Sequence, residues 1–323
     1  MNVISVLSRK SAKKYAILIV FLLLALIPVM TQQDRYIMFT ASGVCIWAVM
    51  TIALYINLNT GIYNFAPAAF MGIGAYTTAL MITKWDISFW ATIPVSMINA
   101  IVVAILLGLP ILRIKGIYFI LVTALFSQVV LLFIASLSGF TGGWGGVSNI
   151  PKPKLFFIDF SSQTSFYYLT LIFLAIAFVF AYRLWYSQIG KIYRHISSND
   201  TLAQSVGVSL VTYKIQSFAI AGALFGLSGS VFAVHIRYIN PGIFDLFASL
   251  EPWFYLVIGG ATSIFGPFIG TSVVKAIREL FSFEPMLSPI IVGFIMILIV
   301  LFLPMGVASL PSKVKQFVTR KRS

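Results

Sequence analysis

Apolar residues form long uninterrupted stretches along the chain, and the charged residues lie in the gaps between them. A helix that spans a bilayer needs roughly 20 apolar residues. The alternating pattern of membrane-spanning strands is absent, which excludes an outer-membrane barrel. The pattern therefore predicts an all-α, polytopic integral membrane protein. The stretches without charge are Tyr15–Gln33, Tyr36–Thr83, Ile87–Leu112, Gly116–Pro151, Phe160–Tyr182, Ile215–Ile236, Pro252–Val274 and Pro285–Ser312.

Turn residues and helix length divide these stretches into individual segments. Tyr36–Thr83 is long enough for two helices, which the turn Asn57–Gly61 separates. We predict about eight spanning helices and one broken or re-entrant segment, all in a single transmembrane domain of residues 1–323. The spans are about Tyr15–Met30, Ile37–Ile56, Tyr63–Thr83, Ile87–Ile111, Ile117–Ser136, Phe166–Trp185, Tyr213–Ile236 and a helix within Pro285–Ser312, with the broken segment at Ser249–Arg278.

Composition and charge agree with the membrane class. The chain is 60% hydrophobic and 9% charged, whereas a soluble domain carries about 25% charged residues. The net charge of +14 comes from basic residues beside helix ends, which is the pattern of cytoplasmic loops. No basic stripe with aromatic readers accompanies this charge, so nucleic-acid binding is excluded. The single cysteine, Cys45, excludes a disulfide, and no cofactor or metal cluster is expected.

The broken segment bears on the topology. LVIGGATSIFGPFIG (Leu256–Gly270) contains four glycines and a proline. If Ser249–Arg278 crossed the membrane once, the basic C-terminal tail would lie outside, against the charge rule. A turn back at Gly259–Gly266 places both termini in the cytoplasm. Non-helical backbone at membrane depth persists only where protein buries it or water reaches it, so a pathway lining and a packing kink both remain open.

The residues needed for catalysis are missing. His195 and His235 are the only histidines, and the predicted topology places them on opposite sides of the membrane. A catalytic relay needs its members within hydrogen-bond reach. The phosphate-binding loop of nucleotide hydrolases is absent. We therefore expect a protein that is not an enzyme and does not itself hydrolyse ATP.

The loop Ser187–Thr212 between two predicted spans contains a short helix. Asn199 or Asp200 is placed to cap its N-terminus, and Gly207 is placed to end it. Such a helix can be a docking element for a cytoplasmic partner. An ordinary solvated linker is the alternative at this point.

Four motifs follow one another along the chain. They are GIYNFAPAAFMGIGAY (Gly61–Tyr76), GIYFILVTALFSQ (Gly116–Gln128), TGGWGGVSNIP (Thr141–Pro151) and the glycine pair with SIFGPFIG (Gly259–Gly270). Together they resemble the permease subunits of branched-chain amino acid ABC importers, the LivM/LivH type, and the likeness covers about Ile37 to Val307. The chain departs from the family at Pro67, where histidine is frequent, and at LPMG (Leu303–Gly306), where Arg-Pro-Arg-Gly is frequent.

The resemblance implies a set of partners in the bacterial inner membrane. These are a second homologous permease subunit, two cytoplasmic ABC ATPases and an extracytoplasmic solute-binding protein. The ATPases would dock on the 187–212 loop, with Ser198, Asp200, Ala203 and Gly207 as coupling residues. The acid of the family's coupling element falls at Thr201 here, one place after Asp200.

The resemblance also implies the substrates leucine, isoleucine and valine. Urea or short amides are the alternative within the same importer class. An ATP-independent secondary transporter is less favoured, because such transporters carry buried acids for ion coupling. In this chain the uncharged stretches contain no acid, and Glu251 is the only acid that adjoins the stretch Pro252–Val274.

Polar and glycine residues in the predicted spans are candidates for the translocation pathway. Glu251 is either a pathway residue or a capping or interfacial carboxylate at an outer helix end. Lys275 and Arg278 are expected to anchor lipid headgroups. The candidate pathway residues are Asn64, Tyr76, Tyr118, Thr123, Gln128, Glu251, Gly259, Gly260 and Gly266.

Overall fold

The computed structural model describes residues 21–114, 116–155, 158–281, 287–303 and 306–309. The beginning of the first predicted span and the basic C-terminal tail lie outside these ranges. The helices are α1 Phe21–Met30, α2 Arg35–Leu58, α3 Pro67–Trp85, α4 Phe89–Ile111, α5 Ile117–Ser136, α6 Ser138–Thr141, α7 Gln163–Tyr186, α8 Gln188–Ser198, α9 Asp200–Ser205, α10 Leu210–Ile236, α11 Leu246–Gly259, α12 Gly266–Leu280 and α13 Leu287–Phe302.

Strands contribute very little to the part of the chain that is described. β1 (Lys154–Leu155) and β2 (Ile158–Asp159) form one antiparallel pair. Five helices, α2, α4, α5, α7 and α10, are long and apolar enough to cross a membrane, and α1 and α11 are shorter apolar helices. The predicted all-α membrane class is confirmed, while the count of eight spans stays a prediction.

Helix α10 lies at the centre of the bundle, with 89% of its most apolar stretch buried. Small residues let its backbone approach its neighbours closely. A methyl group on Gly229 would lie 1.9 Å from the carbonyl oxygen of Met71 in α3. A methyl group on Gly226 would lie 2.7 Å from the carbonyl oxygen of Ser96 in α4. Such small-residue contacts replace the hydrophobic effect as a source of helix association in lipid.

Helices α11 and α12 form an antiparallel hairpin. Gly259 at the end of α11 lies against Gly266 at the start of α12. Glu251, nearer the start of α11, contacts Arg278, near the end of α12. With 14 and 15 residues, each arm is about 22 Å long at 1.5 Å per residue, which is less than the ~30 Å hydrocarbon core. The chain therefore turns back at residues 260–265, as the charge pattern predicts.

Candidate functional site

The backbone is non-helical between α2 and α3, at residues 59–66. The Asn64 side-chain oxygen accepts a hydrogen bond from the amide of Ala66 at 2.9 Å. Pro67 then opens α3 at a position where its missing N–H costs nothing. Because a residue before proline disfavours the helical conformation, α3 begins four residues later than the predicted Tyr63.

The indole of Trp253, in α11, inserts into this unwound segment. Its ring stacks on Phe65 at 5.0 Å and on Tyr63 at 6.1 Å between ring centroids, with interplanar angles of 20° and 10°. Its Nε1–H donates to the carbonyl oxygen of Asn64 at 2.9 Å. Tyr63, Phe65 and the carbonyl of the residue between them therefore all contact this one side chain.

A cluster of buried polar side chains surrounds the beginning of α3. The hydroxyl oxygen of Thr123 accepts from the amide of Phe65 at 3.1 Å, and that of Ser249 accepts from the amide of Ala68 at 3.1 Å. Asn64 is fully buried, and its Nδ2 has no hydrogen-bond partner among the residues that the structure describes. The structure thus brings Asn64 and Thr123 together, next to the helix that carries Glu251.

The tip of the hairpin is packed backbone against backbone. A methyl group on Gly259 would lie 1.9 Å from the carbonyl oxygen of Gly266, and one on Gly266 would lie 2.0 Å from that of Gly260. Gly260 has φ +104°, where an L side chain is strained. Gly306 also contacts it, since a methyl there would lie 2.3 Å from the Gly260 Cα. These contacts account for the three glycines by close packing.

Glu251 lies in an ion-pair cluster between the two arms of the hairpin. Its carboxylate is 2.5 Å from the Arg278 guanidinium and 3.6 Å from the Lys275 ammonium, and it accepts a hydrogen bond from the hydroxyl of Tyr255. The Lys275 ammonium also lies 4.5 Å from the ring centre of Trp47 in α2. Lys275 and Arg278 therefore pair with Glu251, in contrast to the predicted role as headgroup anchors.

Glu251 is not a helix cap either. The side chain of Asp245 caps α11 by accepting from the amide of Ala248 at 2.8 Å. Glu251 lies inside α11, and each charged group of the cluster has an opposite charge beside it. A carboxylate at this depth is tolerable because its partners neutralise it.

The remaining pathway candidates lie apart from this cluster. Tyr76 is buried edge-on against Phe244 at 6.2 Å and lines a cavity of about 580 Å³ between α3, α4 and α5. Tyr118 is 68% exposed, and Gln128 is half-buried further along the same helix, α5. The face of α5 with Thr123 packs inward, whereas Tyr118 points away from the subunit.

The 187–212 loop folds as two short helices, α8 and α9. The side chain of Asn199 caps α9 by accepting from the amide of Leu202 at 3.0 Å. Asp200 instead pairs with Lys214 at the base of α10, at 2.7 Å. The side chain of Ala203 is buried, and Gly207 follows α9 with φ +85°. Of the two predicted capping residues, Asn199 has that role, and Gly207 ends the helix as predicted.

Two apolar side chains of this loop point into solvent. Leu202 is 63% exposed and Val206 is 73% exposed. Leu202 lies in α9, and Val206 is the residue that directly follows it. Ser198, the last residue of α8, is exposed and donates from its hydroxyl to the carbonyl oxygen of Arg194. The loop therefore has two exposed apolar side chains at the end of α9.

The opposite end of the bundle carries the TGGWGG motif. Thr141 orders its turn by donating from its hydroxyl to the carbonyl oxygen of Ile134 at 2.6 Å. Val147 bridges to Ile239, which ties this loop to the end of α10. Trp144 at the tip is 62% exposed. Beside it, burial lowers the pKa of the Lys152 ammonium, with an electrostatic contribution from a neighbouring arginine.

Comparison with known proteins identifies the family. The family model described as "Branched-chain amino acid transport system / permease component" matches residues 36–300, which is most of the chain. This chain belongs to that family.

Three relatives of this permease are named LivM. The high-affinity branched-chain amino acid transport system permease protein LivM of Salmonella typhimurium is 27% identical over 290 residues, covering 82% of this chain and 68% of the relative. The Escherichia coli protein of the same name is 26% identical over 320 residues, covering 92% and 75%. A probable LivM of Methanocaldococcus jannaschii is 24% identical over 233 residues, covering 65% and 67%. No solved structure matches the chain.

In this permease, four structural residues were missed by reasoning from the sequence. Trp253 and Ser249 lie in α11. Trp253 contacts Asn64 in the unwound segment, 189 residues away in the chain, and Ser249 contacts the amide of Ala68 in the first turn of α3, 181 residues away. The sequence signal for Trp253 was its position two residues after Glu251. Leu202 and Val206 were not predicted, because the resemblance to the family indicates Ala203 and Gly207 instead. The buried side chain of Ala203 and the backbone conformation of Gly207 determine the shape of the loop.

Proposed function

We propose that this chain is the permease subunit of an ATP-binding cassette importer that moves leucine, isoleucine and valine into the cell across a bacterial inner membrane. Membership of the branched-chain permease family and the LivM relatives support this substrate class. The observation that carries the proposal is the 187–212 loop, an ordered two-helix element that presents Leu202 and Val206 to solvent.

The proposed assembly contains a second homologous permease, two ATPases and an extracytoplasmic binding protein. Only 28% of the most apolar stretch of α4 and of α5 is buried within the subunit, which leaves room for a partner permease. The pathway would run along α5, from the exposed Tyr118 past the half-buried Gln128, and would reach the unwound Asn64 segment on the side of Thr123. The binding protein would contact the end that carries Trp144.

The substrate is tested by reconstitution. The complete transporter in vesicles, with ATP and its binding protein, is expected to accumulate radiolabelled leucine, isoleucine and valine. An excess of unlabelled valine should reduce leucine uptake, whereas an excess of urea should not. Uptake of urea in place of leucine would contradict the proposed substrate class.

The docking surface gives a direct prediction. Leu202→Glu combined with Val206→Glu should abolish co-purification of the ATPase and reduce uptake at least about tenfold, because docking would bury two carboxylates that have no partner. The fold should be unaffected, since both side chains are exposed. Co-purification and uptake are measured in the same preparation, together with the thermal unfolding of the permease.

Gln204→Glu is the matched control, because Gln204 is exposed in the same helix and lies on another face. It adds a negative charge without removing the apolar pair and should leave co-purification unchanged. Normal co-purification of the Leu202/Val206 double variant would contradict docking at this loop. Substitution of Ala203 or Gly207 is a poorer test, because their burial and backbone conformation would disturb the loop itself.

Orientation is tested by cysteine labelling. The native Cys45 is buried, so it contributes little background. Trp144→Cys is expected to react with a membrane-impermeant maleimide in intact spheroplasts, and Gln204→Cys only after lysis. The reverse pattern would overturn the proposal that the 187–212 loop, and with it both termini, is cytoplasmic.

A further inference from the structure

The 187–212 loop is in contact with the end of α2. The hydroxyl of Ser197, in α8, donates to the carbonyl oxygen of Leu58 at 3.3 Å. The backbone of Gly61 packs beside the same residue, since a methyl group there would lie 3.5 Å from the Ser197 Cα. A displacement of α8 therefore acts first on the turn that follows α2.

The unwound segment follows directly after this turn. Hydrogen bonds from the Gly61 amide to the Leu58 carbonyl at 3.0 Å and from the Ile62 amide to the Asn57 carbonyl at 3.1 Å make the turn compact. Only Tyr63 lies between Ile62, the last residue bonded within the turn, and Asn64, so the covalent link between them is short. Movement of the turn is consequently passed along the backbone to Asn64.

Trp253 makes three contacts with the unwound segment. Tyr63 and Phe65 stack on its ring, and its Nε1–H is bonded to the carbonyl oxygen between them. A carbonyl oxygen fixed by a hydrogen bond and flanked by two ring contacts cannot move along the chain direction without moving the indole. The contact therefore joins the segment mechanically to α11.

The α11–α12 hairpin, which contains Trp253, is packed as a single unit. Glu251, two residues before Trp253, is ion-paired with Arg278 of the other arm. Gly259, six residues after it, is in backbone contact with Gly266. Packed elements respond to a push by shifting as units because their interiors are dense.

We infer that Trp253 is the positioning residue through which movement of the 187–212 loop reaches the α11–α12 hairpin. Neither its ring nor its N–H has to touch the solute for this role. The inference rests on the proposed function, because it requires that an ATPase acts on the loop. Coupling between distant sites is carried by such chains of packed side chains and hydrogen bonds. The competing route runs through α10, where Thr60 donates to Ser217 at 2.9 Å.

The test compares ATP hydrolysis with solute uptake in the complete transporter, reconstituted in vesicles with its binding protein. Trp253→Phe keeps a stacked ring and removes the N–H donor, and we expect the ATP consumed per solute to rise about threefold. Trp253→Ala removes both contacts, and we expect a rise of about tenfold. ATP hydrolysis itself should stay within about twofold of the unsubstituted transporter.

Trp90→Phe is the matched control. The Trp90 Nε1–H also donates to a backbone carbonyl, that of Lys154, at 2.9 Å, but at the end of the bundle away from the 187–212 loop. It should leave the ATP-to-solute ratio unchanged. If Trp253→Ala fails to assemble, Trp253→Phe alone decides the question.

An unchanged ratio in Trp253→Phe, or a parallel loss of hydrolysis and uptake, would overturn the inference and favour the route through α10. ATPase co-purification separates this failure from that of the proposed function. If the ATPase still co-purifies with the Leu202/Val206 double variant, the docking proposal fails. If that variant loses the ATPase while Trp253→Phe keeps a normal ratio, only the relay fails.

Discussion

Gly259→Ala is expected to eliminate the folded permease and with it all uptake. The added methyl group would lie 1.9 Å from the carbonyl oxygen of Gly266 and 2.8 Å from the amide nitrogen of Gly270. Both are backbone atoms, which cannot swing aside as the end of a flexible side chain does. Overpacking of this kind costs about 3 kcal/mol or more. The yield of monodisperse permease and the uptake of leucine are the measurements.

Gly293→Ala is the matched control, because Gly293 lies in a helix, α13, with open space where its methyl group would go. It should leave yield and uptake close to normal. Gly260→Ala is less informative, since φ +104° at Gly260 strains any L residue. A well-folded, active Gly259→Ala permease would refute the close backbone contact at the hairpin tip.

Glu251→Gln is expected to destabilise the permease by about 3–5 kcal/mol, because it leaves two neighbouring cations without a buried counter-charge. The Glu251 carboxylate is 2.5 Å from Arg278 and 3.6 Å from Lys275. Adding Arg278→Gln should recover part of the loss, since it removes one of the unpaired charges. Thermal unfolding in detergent and in lipid measures the effect.

Asp86→Asn serves as the control, because Asp86 is exposed and has a left-handed backbone conformation that asparagine tolerates. Its effect should stay within about 0.5 kcal/mol. If Glu251→Gln unfolds at the normal temperature but loses uptake, the carboxylate acts on the solute or on the pathway. In that case its role as the neutralising partner of the hairpin is wrong.

The sequence predicted the large features because each depends on residues that are close together in the chain. Apolar length identified the helical membrane class, and the glycine-rich stretch Gly259–Gly266 marked the turn between α11 and α12. Asn199 or Asp200 before a short helix and Gly207 after it marked the cap and the end of α9. These features follow from local composition, whereas the orientation of the chain in the membrane stays a prediction.

The contacts that define the site could not be predicted from the sequence, because they join residues that are far apart in the chain. Glu251 and Arg278 are 27 residues apart, and Asn64 and Trp253 are 189 residues apart. The sequence pattern of Glu251, Lys275 and Arg278 is the same whether these side chains face lipid headgroups or one another. Only the packing of the two arms of the hairpin decides between these arrangements.

The hairpin also constrains the order of biogenesis. Neither arm is long enough to remain across a bilayer alone, and Glu251 on the first arm meets its counter-charges only after the second arm has been synthesised. Trp253 needs Asn64, and Lys275 needs Trp47, both in segments that leave the ribosome much earlier. The hairpin therefore enters the bilayer as a pair of arms, into a groove that the first half of the chain has already formed, and its insertion is a late step of co-translational folding.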